Sequence, residues 1–160
     1  MSMTVNDPSI VDADAFTVRR TVTIAAAPEK VWAAVTQPEL ITQWFGQTAR
    51  LDRLELGAEG EFGFEGYGTF PVRIEELDAP HAITYRWGND NATSTKSLAA
   101  DNSTVFRFTL EPVDGGAATR LTVVESGFDV LADPAAAMEG NRGGWDSELD
   151  ELVAFVEGGQ

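Results

Sequence analysis

The chain has 160 residues, 43% of them apolar, enough for one domain with a substantial core. Its 26 acidic residues against 11 basic ones leave a formal charge of −15, which excludes a phosphate-neutralising nucleic-acid face and disfavours an anionic membrane surface. No apolar run approaches the roughly 18 residues of a membrane span, no signal-peptide pattern is present, and without cysteine there are no disulfides or thiol nucleophiles, so a cytoplasmic, acidic protein is expected.

Residues 1–15 contain no aromatic residue and carry three aspartates, and they read as a disordered tail before a single domain spanning 16–158. Phe16–Ile24 alternates as a strand, with Phe16, Val18, Arg20, Val22 and Ile24 on one face. Residues 25–45 predict two short helices, with Pro28 at the first position of one and Pro38 starting the next. After Gly46 the period changes to two. Breaks at Gly57, at Gly66–Gly68 and at the Asp78–His81 turn separate four short strands. On these, Phe62 aligns with Phe64, Phe70 with Val72 and Ile74, and Ile83 with Tyr85 and Trp87. A long polar loop, 88–103, leads to two more strands joined by the hairpin signal Asp114-Gly115-Gly116. Phe106, Phe108 and Leu110 share one face of the first, and Leu121, Val123 and Glu125 share one face of the second. The end of the chain carries Trp145, Leu149, Leu152, Val153 and Val156 at helical spacing, introduced by Gly143 and Gly144. Seven antiparallel strands with one aromatic-rich face need a cover, and this helix has the matching stripe.

Four segments in order, "APEKVWAAVTQPELITQWF" at 27–45, "YRW" at 85–87, "TRLTVVESGF" at 119–128 and "GGW" followed by Leu149 and Leu152, resemble the helix-grip, START-like superfamily. Within it they are most similar to the branch of heat-shock-protein-90 ATPase activator homologues. The resemblance implies an α+β fold: a strongly curved antiparallel sheet of six to seven strands around a long C-terminal helix, with a cavity between them.

The candidate lining of that cavity is a set of inward rings: Trp44, Phe45, Phe62, Phe64, Tyr67, Phe70, Tyr85, Trp87, Phe106, Phe108 and Trp145. So many large rings between a bent sheet and one helix are expected to pack imperfectly and leave a space. Tyr67 falls outside the alternation, so its place depends on a bulge near Gly66. Arg20 and Glu125 lie on neighbouring strands in this topology and are expected to be close together, as a polar anchor for a ligand head group or as a structural ion pair. Gly143 and Gly144 mark either close passage of backbone past a ring, an opening, a hinge or a helix start. Gly60, Gly63, Gly66 and Gly68 lie in strands and lack a phosphate-loop sequel, so they are structural, giving room for rings and curvature. His81, the sole histidine, sits in a turn; with no cysteine and no second histidine the usual zinc sets are missing, and no metal or cofactor is expected. The 88–103 loop reads as an inert surface loop or as a rim over the cavity mouth.

Binding of an apolar, aromatic-rich, lipid- or polyketide-like small molecule is the first functional expectation, with no catalytic residue assigned. Two others stand beside it: a chaperone-associated module, as the resemblance implies, and a cyclase- or dehydratase-type enzyme using acid–base groups in the cavity. A monomer or weak dimer is expected.

Overall fold

A computed structural model describes residues 6–88, 98 and 102–158. Eight antiparallel strands form one sheet in the order β1-β2-β8-β7-β6-β5-β4-β3. These are β1 (Ile10–Asp12), β2 (Thr17–Ile24), β3 (Thr48–Leu51), β4 (Glu59–Phe64), β5 (Gly68–Asp78), β6 (Ala82–Gly88), β7 (Ser103–Val113) and β8 (Ala118–Ser126). Two short helices, α1 (Pro28–Thr36) and α2 (Pro38–Ile41), follow β2, and α3 (Pro134–Glu157) ends the fold. The expected α+β helix-grip architecture is present, with one strand more than the seven read from the sequence.

The additional strand is β1, in the segment expected to be a disordered tail. Ile10, Val11 and Asp12 pair with Arg19, Val18 and Thr17 of β2. Polar contacts tie the segment down: Asn6 Oδ1 accepts from the Thr23 amide at 2.9 Å, and Asp146 Oδ1 accepts from the Ser9 amide at 2.7 Å. Composition missed it because a three-residue strand is too short to show an alternation of its own, and part of what ties it down comes from Asp146 on α3. Residues 1–5 of that expectation lie outside the described residues.

The alternation read from the sequence holds on the long strands. Val18, Arg20, Val22 and Ile24 of β2 are buried, as are Phe106, Phe108 and Leu110 of β7 and Leu121, Val123 and Glu125 of β8. A bulge between Ile74 and Glu76 bends β5 against β6. Gly60 serves close approach: a Cβ there would overlap the carbonyl of Arg50, so β3 could not lie against β4 with any other residue. The room is needed by backbone rather than by rings, which corrects the sequence reading at this position.

α1 starts on Pro28 and stops at Gln37, whose extended backbone hands the chain to Pro38 of α2. α3 starts with Asp133 as N-cap, its carboxylate accepting from the Ala136 amide, and Pro134 at its first position. It then runs through Gly140, Gly143 and Gly144 to Glu157, so the two adjacent glycines neither start the helix nor break it. Met138, Trp145, Leu149, Leu152 and Val156 make its buried face. Each large side chain of this kind contributes about 1.5–3 kcal/mol when removed from water, and this stripe fixes the rotation of α3 over the sheet.

Candidate functional site

The rings between sheet and helix touch one another. Phe45 stacks on Trp145 with centroids 5.7 Å apart and planes 7° from parallel, and meets Phe62 and Phe64 edge-on. Phe106 lies 5.1 Å from Trp87, 5.2 Å from Trp145 and 5.4 Å from Tyr85. Trp44 packs on Phe45 and Phe108, its indole donating to the Ala34 carbonyl of α1 at 2.8 Å. Trp44, Phe45, Phe62, Tyr85, Phe106, Phe108 and Trp145 are all buried. They fill the centre of the expected cavity. Tyr85 also spends its hydroxyl internally, donating to the Val35 carbonyl at 2.7 Å, and burial pushes its phenol well above the ordinary range.

The space lies instead at the flank of this ring cluster. A cleft of about 650 Å³, open to solvent, runs between the β4–β6 edge and the middle of α3. One wall is aromatic: Phe64, Phe70 and Trp87, each partly buried, with Tyr67 at the rim. Tyr67 sits in the turn between β4 and β5 and is 74% exposed, so it belongs to the mouth and not to the interior. The opposite wall is the helix face of Gly140, Gly143, Gly144 and Ser147. A Cβ at any of the three glycines would meet nothing within 4 Å. Of the readings offered for Gly143 and Gly144, close passage past a ring and a helix start are not realised, and both glycines line the cleft. An inner recess of about 120 Å³ continues to Phe45 and Trp145. The expected rim loop, 88–103, falls almost wholly outside the described residues.

Arg20 and Glu125 are both buried on the inner face, but the register places Arg20 opposite Val123 and Glu125 opposite Val18. Each is used to hold α3. The Arg20 guanidinium donates to the Asp146 carbonyl at 2.9 Å, the Asp150 carboxylate at 2.8 Å and the Asp7 carbonyl at 2.9 Å. Burial works against the charge of Asp146, yet the Ser9 amide, Arg20 and Arg142 hold its carboxyl below the usual aspartate range. Glu125 accepts from the indole N–H of Trp145 at 2.8 Å and of Trp87 at 3.1 Å, from the Asn141 amide at 3.0 Å and from the Thr104 hydroxyl at 2.5 Å. A carboxylate saturated by four different side chains has little capacity left for a head group, so neither residue forms the expected ligand anchor. They fix two rings and the helix around the recess.

The carboxylate that lines the space is one that the sequence reading passed over. Glu148 lines the cleft and the recess, and also borders a polar hollow formed with Gln43, Gln47 and Glu151. Its Oε2 is buried without a hydrogen-bond partner among the described residues. Burial, reinforced by the charge of Glu151, pushes its carboxyl up to about 7. Its spacing was a usable signal: Glu148 lies three residues after Trp145 and four after Gly144, which puts it on the edge shared by the buried stripe and the glycine face. Among the described residues no group of three or more histidine, cysteine, aspartate or glutamate side chains is placed to hold a metal ion. His81 is exposed in its turn.

Residues 25–157 match the family described as activator of Hsp90 ATPase homolog 1-like protein. Among solved structures, protein MLL2253 from Mesorhizobium loti is 25% identical with a TM-score of 0.74, over 90% of this chain and 98% of that one. DynU16, a protein in the dynemicin biosynthetic locus, is 25% identical with a TM-score of 0.69, over 90% of this chain and 48% of that one. The Aha1 dimer from Colwellia psychrerythraea, at 19% identity and a TM-score of 0.69 over 88% of this chain and 96% of that one, shares the fold. No curated protein matches the chain. No helix among the described residues is long and apolar enough to cross a membrane.

Proposed function

The chain belongs to the activator of Hsp90 ATPase homolog 1-like family, and we propose that it acts as a binding protein for a flat, aromatic-rich small molecule held in the flank cleft. The observation that carries this reading is the pairing of an aromatic wall with a helix face from which side chains are missing. Three glycines within five positions of an exposed helix face weaken that helix by about 1 kcal/mol each relative to alanine, and no neighbouring atom requires their smallness. What their smallness leaves is a slot beside Phe64, Phe70 and Trp87. Its volume of about 650 Å³ lies in the range of roughly 300–1,000 Å³ that small-molecule sites occupy. The likeness to DynU16, a protein in the dynemicin biosynthetic locus, supports a small-molecule ligand.

The direct test fills the slot. Gly144→Leu should leave a folded protein, because the new side chain enters open space, and should abolish binding of a neutral naphthalene probe measured by calorimetry. Unchanged probe affinity in a folded Gly144→Leu protein would remove the cleft as the site. The family description also supports a chaperone contact, which an Hsp90 ATPase assay with and without the chain would test by a change in turnover.

A further inference from the structure

The cleft has one polar feature that its walls do not explain. Glu148 sits at the inner end, where its Oε2 has lost water and gained no hydrogen bond among the described residues. Leaving a carboxyl oxygen in that state is unfavourable, and no other part of the described fold uses the group. Phe64 and Trp87 line the recess with it, and an aromatic ring face attracts a cation and repels an anion. The charge of −15 on the whole chain acts in the same sense, drawing cations to the surface and turning anions away. Resting on the binding-site reading above, we propose that the cleft selects positively charged aromatic amines, the ammonium group seated against Glu148 and the ring system against Phe64, Phe70 and Trp87.

The terminal torsion of a glutamate is soft, so a small rotation presents Oε2 to the recess. An ammonium there would supply the missing donor and stabilise the ionised acid. Among the described residues, Glu151 is the charged group that acts on Glu148. The side chains that share its hollow from the α2–β3 connection (Thr42, Gln43, Gln47), and those from β4, β6 and the preceding turns of α3 (Phe64, Trp87, Asn141), carry no charge. Among the described residues a bound cation therefore meets two acids and no competing base. Selection should strengthen as pH rises and Glu148 ionises, since an alkylammonium stays charged through the neutral range.

The experiment compares three probes of one shape, 1-naphthylmethylammonium, 1-naphthylmethanol and 1-naphthoate, by calorimetry on the full chain at about pH 6 and about pH 8. The expected result at the higher pH is at least tenfold tighter binding of the cation than of the alcohol, with the anion weakest. The advantage should shrink at the lower pH, and Glu148→Gln should bring the cation down to the level of the alcohol. Alcohol binding equal to that of the cation at the higher pH overturns charge selection while leaving the cleft a binding site. So does a cation advantage that survives in Glu148→Gln. Failure of all three probes overturns both readings. The pH profile of the unmodified chain gives the answer without relying on the variant's folding.

Discussion

Two glutamates at the same ring cluster illustrate how environment, and not residue type, sets a role. Glu125 is buried but saturated, with two indoles, an amide and a hydroxyl donating to it. Glu148 is less buried but has an oxygen without a donor among the described residues. Their substitution by glutamine should therefore have opposite effects. Glu125→Gln turns one acceptor into a donor facing existing donors and should cost about 3 kcal/mol, a fall of about 6–12 °C in Tm. Glu148→Gln should stabilise, and only at the right pH. The acid rises from its ordinary 4.5 to about 7 on folding. Between those values the folded chain keeps a proton that the unfolded chain has released, so the natural protein loses stability as pH rises through the window. Allowing for the solvent that reaches this group, the variant should gain about 1–2 kcal/mol over the natural chain at about pH 8 and almost nothing near pH 4.5. Thermal melts across that range check it, and a gap between the two proteins that ignores pH would mean that Glu148 is not desolvated.

At the scale of elements, α3 does two jobs with opposite demands. Its stripe of Met138, Trp145, Leu149, Leu152 and Val156 must be large to hold the sheet, while Gly140, Gly143 and Gly144 keep the adjoining face bare. Alanine at Gly143 or Gly144 fits the open space, so each substitution should raise stability by about 0.5–1 kcal/mol through helix propensity, about 1–4 °C in Tm. Each should also narrow the slot and weaken a naphthalene probe by several-fold. Greater stability together with weaker binding is the signature of a face kept small for a ligand. Stabilisation with undiminished binding would make the glycines incidental. The large half of this helix was legible in the sequence, because apolar spacing of 3.6 is a strong pattern. The bare half was not, because glycines in sequence do not reveal whether their surroundings are packed or open.

Over the whole molecule, the order of strands and helices was readable because alternation, Pro28, Pro38 and the Asp114-Gly115-Gly116 turn each act locally. Three things were not, and all depend on contacts between elements. β1 pairs with β2 and its lead-in is tied to Asp146 of α3, the ring cluster closes the centre that separate strand patterns left undecided, and the rotation of α3 determines which acid meets the cleft. Net charge, by contrast, is readable in full and carries its own consequence. Several arginines on the outer sheet face already pair with acids, as Arg73 and Arg86 do with Glu75 and Arg107 with Glu76. Surface pairs of this kind contribute about 0–1 kcal/mol each, whereas the 15 acids in excess of bases repel one another across the whole surface. Screening weakens both terms, and repulsion is the larger, so Tm should rise by several degrees between about 20 and about 300 mM sodium chloride, as the Debye length falls below the spacing of surface charges. The same salt should weaken the naphthylmethylammonium probe and leave naphthylmethanol almost unaffected, because long-range attraction acts only on the charged probe. A Tm that falls with salt would show that ion pairs, and not excess acids, dominate the surface electrostatics.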